Sequence, residues 1–241
     1  MKMLAALAVL ALALPASGAF AGPGSRKVVR RAPAKPPVPV PWEKRVTLTA
    51  NGGFLVGNPA AKAKVVEYGS LTCPFCQRFH SATVEGFRER IATGQVSFEY
   101  HPFAVHSADP ILHALLRCAG PANFLRFSDD FYDSQPTLAL AYEQWAEANP
   151  TGNPFATAAD RVKYADQWGF TAFATSHGLT RARAHACLAD AAAFRVDRQR
   201  EEKATVTPGV KGTPTLYLNG QPLNVYSWPE IDQAIGAVLG S

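Results

Sequence analysis

The rhythm of apolar and polar residues changes character twice along this chain. Val46-Thr47-Leu48-Thr49 alternates with period two, Asn51-Gly52-Gly53 turns, Gly57-Asn58-Pro59 reads as a loop, and the apolar run Val65-Val66-Glu67-Tyr68 follows. Short runs bounded by turn residues in this way predict strands. After Cys73-Pro74-Phe75-Cys76 the spacing turns helical: Cys76, Phe79, Thr83, Phe87 and Ile91 fall at three- and four-residue steps, one inward stripe that Gly94 ends. Val96, Phe98 and Tyr100 then alternate with Ser97 and Glu99 up to His101-Pro102, the period of a half-buried strand.

Residues 107–205 show no strand pattern. They are Ala-rich with helical spacing, interrupted at Gly120-Pro121, Pro136, Asn149-Pro150-Thr151-Gly152 and Gly178, which predicts five or six helices. Strand patterning returns in Thr215-Leu216-Tyr217-Leu218 and in 221–225, where the intervening Asn219-Gly220 suits a type I′ hairpin turn. A last helix follows Ser227, with Glu230 placed for a capping box and Gly240 as the stop. The predicted order is β, β, α, β, helical block, β, β, α. This is an α/β domain formed by 46–106 and 206–241, carrying an inserted all-helical subdomain at 107–205.

The start of the chain changes the picture by placing it in a compartment. Lys2, the apolar run Leu4 to Leu14 and Ala19-Phe20-Ala21 have the form of a signal peptide cleaved after Ala21. The run is too short to span a bilayer. The expected product is an exported chain of periplasmic type, in an oxidising space where disulfides persist. Residues 22–45 form a proline-rich basic linker, with prolines at 23, 33, 36, 37, 39 and 41 and seven basic side chains against Glu43. Such a stretch is expected to be an extended, solvated spacer, or else a tether with weak attraction to anionic lipid. The formal charge of the whole 241-residue chain is +5. Taking away Lys2 and the net six positive charges of 22–45 leaves −2 for the body, which argues against nucleic acid as a partner.

Cys73 and Cys76 carry the candidate chemistry. A thiol attacks a disulfide only as thiolate, and Cys73 at the start of a helix faces unpaired backbone amides and the positive end of the helix dipole. Pro74 suits the first helical position, where its missing N–H costs nothing. The expected division of labour has Cys73 as the exposed reacting sulfur and Cys76, on the apolar stripe, as the resolving one. Stabilising the Cys73 thiolate also stabilises the reduced protein, and so makes the disulfide form a stronger oxidant.

Glu67 six positions before Cys73, the Thr72-Cys73-Pro74-Phe75-Cys76 motif, the helical insertion and Gly212-Thr213-Pro214-Thr215 leading into a strand together resemble the DsbA-like thiol-disulfide oxidoreductases, a thioredoxin-fold family. The resemblance covers about residues 46–240. It implies that Pro214 is a cis-proline packed against the dithiol, with Thr213 presenting backbone to a substrate peptide. It also implies that Glu67 is a buried acid exchanging a proton with Cys76; the other reading of Glu67 is a strand-edge carboxylate facing water. Phe75 is expected to be an exposed apolar contact for unfolded clients, or else core. His80 and His101 are candidates for contact with the thiols, or else loop and surface histidines. The dipeptide between the cysteines is Pro-Phe, where the best-known members have Pro-His, and this bears on oxidising strength.

Some members of that family carry a second cysteine pair. In an exported protein the simplest fate of Cys118 and Cys187 is a mutual disulfide closing a loop of about 70 residues, worth at most about 4 kcal/mol; two buried free thiols are the alternative. A zinc site from all four cysteines does not suit their spacing. No metal or cofactor is expected. The functional expectation is a dithiol oxidase that introduces disulfides into reduced exported proteins and is reoxidised by a quinone-linked, DsbB-like membrane protein. The alternatives are an isomerase or reductase kept reduced by another partner, and a noncatalytic binding module in which Cys73-Cys76 is a staple.

Overall fold

Six strands make one mixed sheet: β1 (Val46–Leu48), β2 (Phe54–Gly57), β3 (Ala63–Gly69), β4 (Val96–Pro102), β5 (Thr215–Leu218) and β6 (Gln221–Leu223), in the spatial order β1-β2-β4-β3-β5-β6. The structure is a computed structural model describing residues 40–240; the expected leader at 1–21 and the linker as far as residue 39 lie outside the described residues. β3 and β4 run parallel, joined by the crossover helix α1 (Pro74–Ala92), and every other neighbouring pair is antiparallel. Side chains alternate across a strand, so Ala63, Val65, Glu67 and Gly69 of β3 share one buried face while Lys64, Val66 and Tyr68 take the other. Glu67 is thereby set in a central strand, opposite Tyr100 of β4 and Leu216 of β5.

β2 departs from the sequence reading, which has a turn at 51–53, a loop at 57–59 and no element between them. Phe54-Leu55-Val56 is a bare apolar run between glycines, with no alternation to mark it. Its strand conformation comes from pairing on both sides, Phe54 with Leu48 and with Tyr100.

The stripe on α1 is buried as its spacing predicts, through Cys76, Phe79, Thr83, Phe87 and Ile91. The helical block comprises α2 (Asp109–Ala119), α3 (Phe124–Ala148), α4 (Ala158–Gln167), α5 (Phe170–Ser176), α6 (Arg181–Ala189) and α7 (Ala191–Thr205). α2 is buried on nearly every side, including Ile111, Leu112, Leu115 and Leu116, as an apolar helix at the centre of a bundle must be. Cys118 at its end is joined by a disulfide to Cys187 of α6, with Cα atoms 6.2 Å apart. The last helix, α8 (Trp228–Leu239), lies against α1. A Cβ on Gly86 would fall 2.0 Å from the Trp228 ring, so this mid-helix glycine permits the close approach. Arg90 at the end of α1 grips Asp232 of α8 with Nε at 2.5 Å and Nη2 at 2.9 Å.

Three further expectations are corrected. Pro136 does not interrupt the chain but lies inside α3, because Phe131 and Tyr132 before it and Ala139 and Tyr142 after it are buried along a continuous face that outweighs one lost backbone bond. Ser227 does not complete a capping box: its hydroxyl donates to the Glu230 carboxylate and accepts nothing from the backbone. Thr157 and Asp160 form a full box at the start of α4 instead. The linker does not run to residue 45, since Trp42–Lys44 forms a 3-10 turn and Trp42 packs on Gly94. The Arg45 guanidinium lies 4.0 Å over the Trp42 ring.

Candidate active site

β3 delivers the chain at Gly69 into a tight loop, Ser70-Leu71-Thr72, whose next residue, Cys73, is the N-cap of α1 with extended backbone angles. Pro74 follows in the first turn. The loop is held from three directions. The Tyr100 hydroxyl donates to the Gly69 carbonyl at 2.9 Å, Tyr132 donates to that of Ser70 at 3.3 Å, and Gln135 Nε2 donates to Leu71 at 2.6 Å and to Cys73 at 3.2 Å. Beneath it Asp109, fully buried, accepts from Ser70 Oγ at 2.9 Å, from Thr72 Oγ1 at 2.8 Å, and from the amides of Val105 and His106 at 2.9 Å each. One carboxyl group thus fastens the dithiol loop to the turn that enters the helical block, and five donors, the Thr72 amide at 3.4 Å included, supply the hydrogen bonds a buried acidic group requires.

Cys73 and Cys76 both carry free thiols. The expectation of an exposed Cys73 is corrected: the residue is only 5% exposed, because the loop around Thr213 comes down over it and its Sγ lies 3.5 Å from the Thr213 carbonyl. The Thr213-Pro214 peptide bond is cis. The Cys73 thiol is pulled down to about 5. A hydrogen bond from the Cys76 thiol is the largest cause; burial opposes it, and the Thr213 side chain and the backbone amides of Cys76 and Phe75 add to it. The helix-start amides therefore contribute, but the neighbouring thiol contributes more.

Cys76 is fully buried, and its thiol is held well above its usual range, first by burial, then by its bond to Cys73 and the charges of Glu67 and Cys73. Glu67 is buried rather than at a wet strand edge. Its carboxyl is raised to about 8 by burial and then by the Cys73 charge, while a hydrogen bond with the Cys76 thiol works the other way. Gly69 makes the room: a Cβ there would stand 2.8 Å from Glu67 Oε1 and 2.5 Å from the Tyr100 ring. The arrangement can therefore hold one sulfur as an anion, its neighbour as a neutral thiol, and a carboxyl beside them that is neutral or charged near neutral pH.

On the outer side, Phe75, Arg78, Phe79, Thr213, Pro214 and Tyr226 line an open groove of about 540 Å³. Phe75 is 64% exposed, with the Arg78 guanidinium 4.5 Å over its ring. The two candidate histidines are each held by an acidic partner. His80 Nε2 pairs with Asp129 at 3.1 Å, and His101 pairs with Glu99 at 2.9 Å while stacking on Tyr68. Among the described residues no three or more His, Cys, Asp or Glu side chains are grouped to hold a metal ion. Sequence reasoning missed Ser70, Asp109, Tyr132 and Gln135; the one signal was Asp109-Pro110, a lone acid opening a mostly apolar helix.

A thioredoxin family model matches residues 49–237. Among curated proteins, the chain is 27% identical over 188 residues to a candidate protein-disulfide oxidoreductase of Rickettsia bellii, covering 77% of this chain and 64% of that protein. It is 24% identical to a like-named protein of Rickettsia typhi, covering 78% and 63%. The chain thus spans a little under two thirds of the length of these relatives. Among solved structures, a protein-disulfide isomerase from Novosphingobium aromaticivorans superposes with a TM-score of 0.70 at 25% identity, covering 80% of this chain and all of that one. The α-DsbA1 of Wolbachia pipientis gives 0.60 at 18% identity, covering 84% and 94%. The matched span takes in the dithiol, the helical insertion and the strand after Pro214, and the chain belongs to the thioredoxin family, in the DsbA-like form of its fold.

Proposed function

We propose that this protein is a thiol-disulfide oxidoreductase working as a dithiol oxidase on exported proteins, with Cys73 as the reacting sulfur. The observation that carries the reading is the Cys73 sulfur set at the start of α1, where the Cys76 thiol and the backbone amides favour its anion. A client thiolate attacks Cys73 Sγ of the Cys73-Cys76 disulfide, forming a mixed disulfide and expelling Cys76 as thiolate. Cys76 takes a proton from Glu67. A second client thiolate attacks the client sulfur of the mixed disulfide and releases Cys73 as the stabilised thiolate. Two electrons have passed to the protein; one client proton's equivalent rests on Cys76, and the other goes to water.

The groove beside Thr213 and Pro214 is where an extended client segment would lie, with Phe75 as apolar contact and the Thr213 backbone as hydrogen-bonding edge. Periplasmic location, carried by residues 1–21, and reoxidation by a quinone-linked, DsbB-like membrane protein belong to the same reading. An isomerase or reductase uses the same atoms but is kept reduced; the likeness to the Novosphingobium protein-disulfide isomerase favours that second reading.

Two measurements test the proposal. Cys73→Ser should abolish client oxidation and insulin reduction with the fold intact; unchanged client handling would instead indicate a noncatalytic module. Alkylation trapping of the dithiol in cells should find it mainly oxidised, and a mainly reduced pair would exclude the oxidase.

A further inference from the structure

Every turnover in this scheme moves a proton through Glu67, yet Glu67 is buried and its Oε1 has no hydrogen-bond partner. A cavity of about 60 Å³ lies beside it, more than the roughly 10–15 Å³ that a single water needs. The same cavity is lined by His80. That imidazole packs tilted against Tyr132 with ring centres 4.8 Å apart, and its Nε2 reaches Asp129 Oδ1 at 3.1 Å. The His80 and Asp129 side chains are 19% and 22% exposed, so this pair joins the cavity to the surface.

We propose that His80, oriented by Asp129, relays protons through water in this cavity between the Glu67 carboxyl and bulk solvent. The inference rests on the reading of Glu67 as the proton partner of Cys76. When Cys76 leaves as thiolate, Glu67 gives it a proton and becomes carboxylate; a cavity water protonates Glu67, His80 replaces the water's proton, and solvent restores His80. Reoxidation runs the same path outward, so no net charge accumulates. The charged and titratable groups facing His80 and the cavity are Glu67 on β3, Tyr100 on β4, Asp129 and Tyr132 on α3, Arg88 on α1 and Glu43 in the 3-10 turn. Arg88 also pairs with Asp129, so the carboxylate that holds the imidazole is itself held from α1.

The test is single-turnover reduction of the oxidised full-length protein by a dithiol peptide, followed by rapid mixing across neutral pH. A positioned acid or base contributes about a hundredfold or more. Because water still occupies the route when the imidazole is gone, His80→Gln is expected to slow the step about tenfold, with added imidazole restoring part of the rate. A relay changes rates in both directions alike, so the equilibrium potential of His80→Gln should match the unmodified protein. The double variant with Glu67→Gln should be no slower than Glu67→Gln alone. An unchanged His80→Gln rate, a potential shifted with the rate, or multiplied effects in the double variant would overturn the relay. If Glu67→Gln is itself as fast as the unmodified protein, the underlying assignment of Glu67 fails, and the relay with it. A measurement needing no variant is the unmodified protein's rate in H₂O–D₂O mixtures: a curved dependence supports transfer of more than one proton, and a straight line overturns it.

Discussion

Replacing Glu67 by glutamine isolates what it costs the fold to keep a carboxyl inside the sheet. In the dithiol protein the carboxyl sits at about 8, against about 4.3 in an unfolded chain. The unfolded chain therefore releases its proton first, the folded state binds more protons between those two values, and stability falls with rising pH by about 1.4 kcal/mol per pH. From about 4.3 to 7 this comes to about 3.6 kcal/mol as a ceiling. Glutamine has nothing to titrate. The cleanest reference is the protein with both disulfides closed, because the Cys73 thiolate, absent there, has the opposite sign: held near 5, it adds stability as pH rises toward its unfolded value of about 8.5. Closing the Cys73-Cys76 bond also removes the Cys73 charge from Glu67's surroundings but leaves burial, the larger cause. Glu67→Gln is then expected to be about as stable as the unmodified protein near pH 4 and more stable by about 2–3 kcal/mol at pH 7. Urea denaturation with linear extrapolation at several pH values reads this difference directly. A difference that stays flat with pH, or a Glu67→Gln protein less stable at pH 7, would refute the reasoning.

Two other outcomes are expected. Phe75→Ala removes an exposed ring and should change stability by no more than about 0.5 kcal/mol, while slowing reaction with an unfolded client several-fold and leaving reaction with a small dithiol unaffected; equal slowing of both would place the ring in the chemistry and not in client contact. Replacing Cys118 and Cys187 together by serine opens a link across 69 residues and should cost up to about 4 kcal/mol in urea denaturation while the dithiol keeps its reactivity; a loss of reactivity in the folded variant would couple the helical block to the site.

How much of this was legible depended on whether the determining contacts were local. The α1 stripe from Cys76 to Ile91, the Asn219-Gly220 turn and the Gly240 stop are set by neighbours three or four residues away, and the structure has them as the spacing predicts. β2 is fixed by partners on two other strands, and a three-residue apolar run says nothing of them. Pro136 looks like a break until the buried face on both sides of it is known. At the site, the dithiol and the Thr213-Pro214 step could be picked out as motifs. The burial of Cys73 could not, because it comes from a loop 140 residues away. Nor could Asp109 or Gln135 be tied to the dithiol loop, since one opens a helix and the other sits mid-helix, and only the packing of α2 and α3 brings them to it. Glu67 lay between the two cases: an acid in an apolar strand announces that something must compensate it, but the cavity on its far side is a product of packing.

The acidity of Cys73 tests the account most directly. Thiolate absorbance of the reduced protein, or the rate of its alkylation, should be followed against pH, with a Cys76→Ser variant run alongside to report the hydrogen bond that contributes most. A midpoint near 5 in the unmodified protein, moving upward when the Cys76 thiol is replaced, is the expected result. A midpoint near the ordinary cysteine value of about 8.5 would contradict it, and the case for an oxidase built on this sulfur would go with it.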